Sequence, residues 1–480
     1  MSSRNDHQIS QISQISQISQ AALAEFVRAT AAEFGIPGAA VGVWVDGREI
    51  LACHGVADAG AADPVPVDRN TLFQLGSVTK TYTATALMRL VAEGRVELDA
   101  PVRRYVPELV LADERAAAEI TVMQLLNHTA GLDWNVIADT GDGDGALAGF
   151  VAAMAELQLI APPGARASYS QAGFNLAGRI IEKVTGLTYE RAVAELVLRP
   201  LGLSRTGFDA GDLPGGRAGN TAAGHNLNED GTLSVSRDWT VGRGDRPGGG
   251  LVSSVSEQLR WARFHLADGR TEGSAGVLPA ERLLRMRQPT VELRGSALGD
   301  AFGIAWFLRE VDGVATVGHG GSTNGQFAEL LIVPERDFAV VVLSNAAPNS
   351  IPFNQAVVRR VLETGLGVVD RDPEPLPYDP AAAPEIVGRY DNDAIALVIA
   401  ADGEGLTLEV GIKPEIRAGS DGEMPADYPP ESIGLLPGDG DEYIVTTGGL
   451  RGQRGFFTRD AAGAVVGVDL AGRLFGRVSA

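Results

Sequence analysis

Residues 73–90 read FQLGSVTKTYTATALMRL. In this stretch Ser77 stands three residues before Lys80, and apolar residues follow at helical spacing. Side chains three apart on a helix share a face, so the spacing sets a hydroxyl beside an amine. A serine hydroxyl is a weak nucleophile until a neighbouring base takes its proton. A lysine serves as that base once desolvation or a nearby cation lowers its pKa. The chain has three lysines (Lys80, Lys183 and Lys413) and 23 serines in 480 residues. One such pair therefore arises by chance in roughly one chain in seven. The pair needs partners.

Working outward, residues 77–93 read as a helix whose apolar stripe is Tyr82, Ala86, Leu87, Leu90 and Val91, with Gly94 as its C-cap. Upstream, AALAEFVRATAAEF (21–34) has helical periodicity and stops at Gly35-Ile36-Pro37. The runs AAVGVWV and REILACHGVA read as strands joined at Asp46-Gly47, a strong hairpin signal. Residues 120–290 are mostly helical pattern broken by glycine-rich loops, including DTGDGDG at 139–145. Strand signals return in FGIAWFLREV, ATVGHGG, FAELLIVPE and DFAVVVLSNA, and the helical PFNQAVVRRVLETG follows.

Two further residues join the Ser77–Lys80 pair. Tyr169 lies in ARASYSQAGFNLAG, between the Pro-Pro-Gly turn at 162–164 and a helix running to Gly186. His319 lies in VGHGGSTNGQ, where glycines let backbone approach a ligand closely. Taken singly, each is as ordinary as a packing tyrosine or a structural histidine. The remaining histidines show no metal-ligand spacing and Cys53 has no cysteine partner, so no metal or other cofactor is expected. Cys53 itself follows an apolar run and reads as a buried small hydrophobe.

In this order, S-x-x-K, then Tyr-Ser-x, then His-Gly-Gly resembles the serine β-lactamase and penicillin-binding-protein superfamily. The nearest likeness is to its class C-like branch of esterases, D-aminopeptidases and related hydrolases. The stretches FQLGSVTK, TVMQLLNHTAGL, PPGARASYSQAGFNLAG, RPGGGLVSSVSEQLRWARF, FGIAWFL and GHGGSTNGQFAELLIVPERDFAVVVLSN keep the family's order over residues 20–365. The resemblance implies that Ser77 is the acylated nucleophile, with Lys80 and Tyr169 moving its proton. It places the oxyanion hole at the backbone N–H groups of Ser77 and Ser322, and substrate contacts at Gln171, His319, Gly320 and Gly321.

Two departures from the family pattern bear on substrate. Gln171 stands where Tyr-x-Asn is usual, and His319 where true β-lactamases usually have lysine. A histidine is mostly neutral near pH 7. The site is therefore expected to lack a fixed anchor for a substrate carboxylate, which disfavours penicillins. The expected activity is a serine hydrolase working through an acyl-enzyme on a small-molecule ester or amide, of esterase or D-amino acid peptidase type. The alternatives are β-lactamase or DD-peptidase activity, acyl transfer to an acceptor other than water, and a binding protein that keeps the fold without the chemistry.

The implied fold is α+β: an antiparallel sheet flanked by helices with a large helical insertion, spanning residues 21–366. Residues 1–20, which repeat QIS, read as a disordered low-complexity tail. Prolines at 373, 375, 377, 380 and 384 mark a linker over 367–384, where few interdomain contacts are expected. Residues 385–480 alternate short apolar runs with turns and read as a small antiparallel β-barrel or sheet. Acidic residues outnumber basic ones 61 to 40, giving a formal charge of -21, which repels phosphate backbones and excludes nucleic acid as a partner. The start, MSSRNDHQ, has no signal-peptide pattern, and no apolar run is long enough to span a bilayer. The expectation is a cytoplasmic protein without membrane contact, with homo-oligomerisation left open.

Overall fold

Helix α1 (Gln20–Phe34) begins where the Ser19 hydroxyl accepts the Ala22 N–H, and it ends at Gly35 in the left-handed conformation. The computed structural model describes residues 18–136, 138–214, 216, 220–228, 232–236, 241–266, 276–418 and 427–478. Most of the expected tail lies outside the described residues. Its end does not behave as a tail: Ile18 is buried against Gly365, and Ser19 caps α1.

Strands β1 (Gly38–Val45) and β2 (Arg48–Gly55) form the expected hairpin. Asp46 and Gly47 both take positive φ, 51° and 71°, as a tight Asp-Gly turn requires. Cys53 departs from expectation: strand alternation sends Ile50 and Ala52 inward and leaves Cys53 exposed.

Helix α2 (Thr79–Ala92) follows a 3-10 turn at Gly76–Val78. It is buried on nearly every side rather than along one stripe. Its threonines make this tolerable by bonding back into the helix. Thr81 donates to the Val78 carbonyl and Thr85 to the Thr81 carbonyl, each at 2.8 Å. Helices α3 (Gln171–Thr185) and α4 (Val255–Leu266) pack beside it in one apolar core.

The remaining sheet strands are β3 (Val291–Ser296), β4 (Gly299–Phe302), β5 (Phe307–Val311), β6 (Val314–Thr323), β7 (Gln326–Val333) and β8 (Phe338–Ser344). FGIAWFLREV, expected as one strand, is broken between β4 and β5. Ala305 takes φ 60° there, with its N–H on the Leu126 carbonyl. The eight-stranded order is β2-β1-β8-β7-β6-β5-β4-β3. The two ends of this unit are joined where β1 pairs antiparallel with β8, from Ala39 opposite Ser344 to Trp44 opposite Ala339. Helices α1 and α5 (Ser350–Leu366) cover one face, and α4 with the helical block covers the other.

A closed eight-stranded antiparallel barrel follows: β9 (Gly388–Asp391), β10 (Ile395–Ala401), β11 (Leu406–Ile412), β12 (Tyr428–Leu435), β13 (Glu442–Val445), β14 (Arg454–Arg459), β15 (Val465–Leu470) and β16 (Arg473–Arg477). The pairing of β9 with β16 removes every free edge. The segment leading to it is tied down more firmly than proline spacing predicts. Asp370 pairs with Arg309 at 2.7 Å and with Arg359, Asp372 pairs with Arg359, and the Leu376 N–H bonds the Leu435 carbonyl. The barrel also docks on the first unit directly: the Tyr169 N–H donates to the Gly472 carbonyl at 2.7 Å. Among the described residues no helix is long and apolar enough to cross a membrane.

Candidate active site

The 3-10 turn before α2 lifts Ser77 to the rim of a cavity of about 290 Å³, while Lys80, one turn further, is fully buried beneath it. The Lys80 Nζ lies 3.3 Å from Ser77 Oγ, 2.5 Å from Gln171 Oε1 and 2.7 Å from the Gly248 carbonyl. Burial holds its pKa well below the usual lysine value. Nearby Arg473 pushes the same way, and Asp245 opposes weakly. The two carbonyl oxygens can accept only N–H groups. A neutral amine that gives both its hydrogens to them is left with its lone pair toward Ser77 Oγ, placed to take the serine proton.

Tyr169 comes from the loop that precedes α3, whose N-cap is Ser170. Its hydroxyl hydrogen-bonds Ser77, and burial pushes the phenol up to about 12 against the opposing effects of Arg473 and that bond. It is therefore a proton donor at neutral pH. Below it, buried His128 accepts the Ser170 N–H on Nδ1 at 3.1 Å, and its ring lies 4.4 Å from the Tyr169 ring.

The far side of the cavity is the edge of β6. Strand β5 pairs with β6 only as far as Gly318, so Gly320, Gly321 and Ser322 face the cavity without a partner strand on that side. This edge meets the turn holding Ser77 backbone to backbone. A Cβ on Gly321 would stand 2.0 Å from the Leu75 carbonyl oxygen and 2.8 Å from Ser77 N. A Cβ on Gly76 would stand 2.6 Å from Ser322 N. Only glycine at both places lets the Ser77 and Ser322 amides come together.

Gln171 and His319 lie behind the cavity wall. Gln171 holds Lys80, and its Nε2 donates to the Asp245 carbonyl at 3.3 Å. Its side chain fills the space a Cβ on Gly248 would need, so the longer amide fits because residue 248 is glycine. His319 is buried, stacks on Phe307 at 4.2 Å, and has Nδ1 2.6 Å from the Gly320 carbonyl oxygen. Burial, then Lys80, push its pKa down to about 3, so it is neutral, as its sequence position implies.

A cation that sequence reading missed stands in this cavity. Arg473, at the start of β16, enters the same cavity from the barrel, with its guanidinium 4.6 Å above the Tyr169 ring. It makes no ion pair among the described residues, and its Nε is unpartnered. Nothing in AGRLFGRV distinguishes this arginine from an exposed hairpin residue. Its place in the cavity arises from docking the β15–β16 turn onto the Tyr169 loop.

Comparison with known proteins identifies the family. A model of the β-lactamase family matches residues 23–362, and the chain belongs to that family. Penicillin-binding protein 4 of Amycolatopsis lactamdurans is 34% identical over 370 residues, covering 75% of this chain and 94% of that protein. The unguisins hydrolase of Aspergillus campestris is 28% identical over 364 residues, covering 72% of this chain and 65% of that protein. The crystal structure of SurE superposes with a TM-score of 0.73 at 28% identity, covering 96% of this chain and 99% of that one. The class C β-lactamase of Rhodobacter sphaeroides gives 0.57 at 26%, covering 72% and 99%. The protein is a serine hydrolase of the β-lactamase and penicillin-binding-protein superfamily.

Proposed function

We propose that the protein cleaves an amide or ester bond in a substrate containing D-amino acids, through an acyl-enzyme on Ser77. The observation that carries the chemistry is the arrangement of Lys80: fully buried, with two carbonyl oxygens taking its hydrogens and Ser77 Oγ 3.3 Å away. In this reading Lys80 takes the serine proton as Oγ attacks the carbonyl carbon. The amides of Ser77 and Ser322 receive the developing oxyanion, each donor contributing about 3 kcal/mol. Tyr169 returns a proton to the departing nitrogen or oxygen, and water then attacks the acyl-enzyme by the reverse transfers.

Two observations support the substrate class. SurE, which covers nearly the whole chain, has also been solved with D-Leu, and one curated relative is a hydrolase of unguisins. Arg473, whose Nη1 donates to the Ala471 carbonyl, offers a substrate carboxylate a guanidinium in the same cavity as the nucleophile. The test is a matched panel of D- and L-amino acid amides and esters, with a chromogenic cephalosporin, alongside mass spectrometry after fluorophosphonate treatment. The expected result is a Ser77 adduct and preference for the D-series by at least about tenfold. Absence of an adduct overturns the mechanism; equal turnover of both series overturns the substrate class.

A further inference from the structure

The cavity does not stop at Ser77 but continues past the β6 edge, where Glu329 of β7 forms part of its wall. Glu329 pairs with Gly320 across the two strands, and a Cβ on Gly320 would stand 3.0 Å from its Oε2. Glycine at residue 320 therefore leaves room for this carboxylate beside the β6 edge. Every other acid of the cavity has a cation: Asp370 has Arg309 and Arg359, and Asp372 has Arg359. The Glu329 carboxylate has no ion pair or hydrogen bond among the described residues. Of the remaining cations, Arg454 donates to the Ser296 carbonyl, and Arg473 stands at the other end beside Tyr169.

We propose that Glu329 receives a primary ammonium group on the substrate, at a subsite removed from the bond being cleaved. A neutral donor would satisfy the oxygens but leave a charge in a poorly hydrated wall. An ammonium does both, and charge-assisted bonds of this kind are the stronger ones. Burial alone pushes the Glu329 carboxyl up to about 7, consistent with a group that lacks its partner until ligand arrives. The ammonium comes either from a free α-amine or from a lysine-like side chain. The proposal rests on the acyl-enzyme reading above.

The test compares wild type with Glu329→Gln on three anilides of one acyl scaffold. One carries a free α-amine, one is N-acetylated, and one is N-acetylated with a side-chain amine. In wild type, kcat/KM for one amine-bearing form should exceed that of the plain N-acetyl form by at least about tenfold. In Glu329→Gln that ratio should fall to near one, and the form that loses its advantage identifies the source of the amine. A ratio that survives the substitution overturns the proposal. Should the variant misfold, wild type alone decides. The ratio should rise from about pH 5.5 to 7 as Glu329 ionises, below the range in which either amine loses most of its charge, and a flat ratio overturns it. A missing fluorophosphonate adduct at wild-type Ser77 would overturn the acyl-enzyme reading instead.

Discussion

On one wall of the cleft, Ser77 and Lys80 sit one turn apart at the head of a helix buried on almost all sides. On the opposite wall, Arg473 sits at the start of a barrel strand, brought in by one hairpin. The first wall is held by short-range geometry and a continuous apolar core, and it carries the proposed acylation chemistry. The second is held by a few contacts between two separately cored units, and it carries the cation proposed to receive a substrate carboxylate. Rigid placement is needed where a proton moves between atoms about 3 Å apart, and less so where a charge attracts a charge.

Substitutions on the first wall should abolish turnover, and those on the second should redirect it. Ser77→Ala is the largest test. It should lower kcat by at least about 10⁴-fold on any substrate the wild type cleaves, with an unchanged circular-dichroism spectrum. Turnover within tenfold of wild type would remove Ser77 from the mechanism.

Next come Lys80→Ala and Tyr169→Phe, each expected to lower kcat at least about a hundredfold. Because they serve one proton path, the double variant should lose far less than the product of the single losses. Independent, multiplicative losses in steady-state kinetics would show that the two residues act separately.

Arg473→Gln should lower kcat/KM by about ten- to a hundredfold for a substrate with a free carboxylate, and by less than about threefold for its amide. Equal losses on both substrates would mean that Arg473 only supports Tyr169.

The smallest effect joins the two walls. Lys80 acts as a base only when deprotonated, so activity should rise with pH through its depressed pKa. Arg473 is one cause of that depression. Removing its charge in Arg473→Gln should therefore move the ascending limb of the kcat profile to higher pH. A limb that stays in place, or moves lower, would show that the guanidinium is too well screened to influence Lys80.

The sequence was legible where function depends on residues close together in the chain. Ser77 and Lys80 are a helical i,i+3 pair, and Asp46-Gly47 specifies a turn by its own φ preferences. Glycines at 320 and 321 mark the backbone approach at the β6 edge. Legibility ended where a side chain acquires its meaning from a distant surface. Arg473 is one hairpin arginine among several, and Glu329 reads as the polar member of an alternating strand. The broken strand at 303–306 was hidden for a similar reason, since the Leu126 carbonyl that receives the Ala305 N–H is remote in sequence. Proline spacing suggested a linker over 367–384 but could not reveal the arginine–aspartate pairs at its start.

The bond from the Tyr169 N–H to the Gly472 carbonyl has an evolutionary consequence. It joins main chain to main chain, so docking there does not depend on which side chains the hairpin carries beyond the turn conformation of Ala471 and Gly472. The next residue, Arg473, is the one whose side chain enters the cleft. One step along the chain separates a contact indifferent to side-chain identity from a side chain that lines the cleft. Mutation can therefore explore residue 473 without breaking the main-chain bond that docks the hairpin, at the cost of a small shift in the Lys80 pKa. The hairpin is a replaceable cartridge, through which a fixed acylation centre could acquire new substrates by single amino-acid changes.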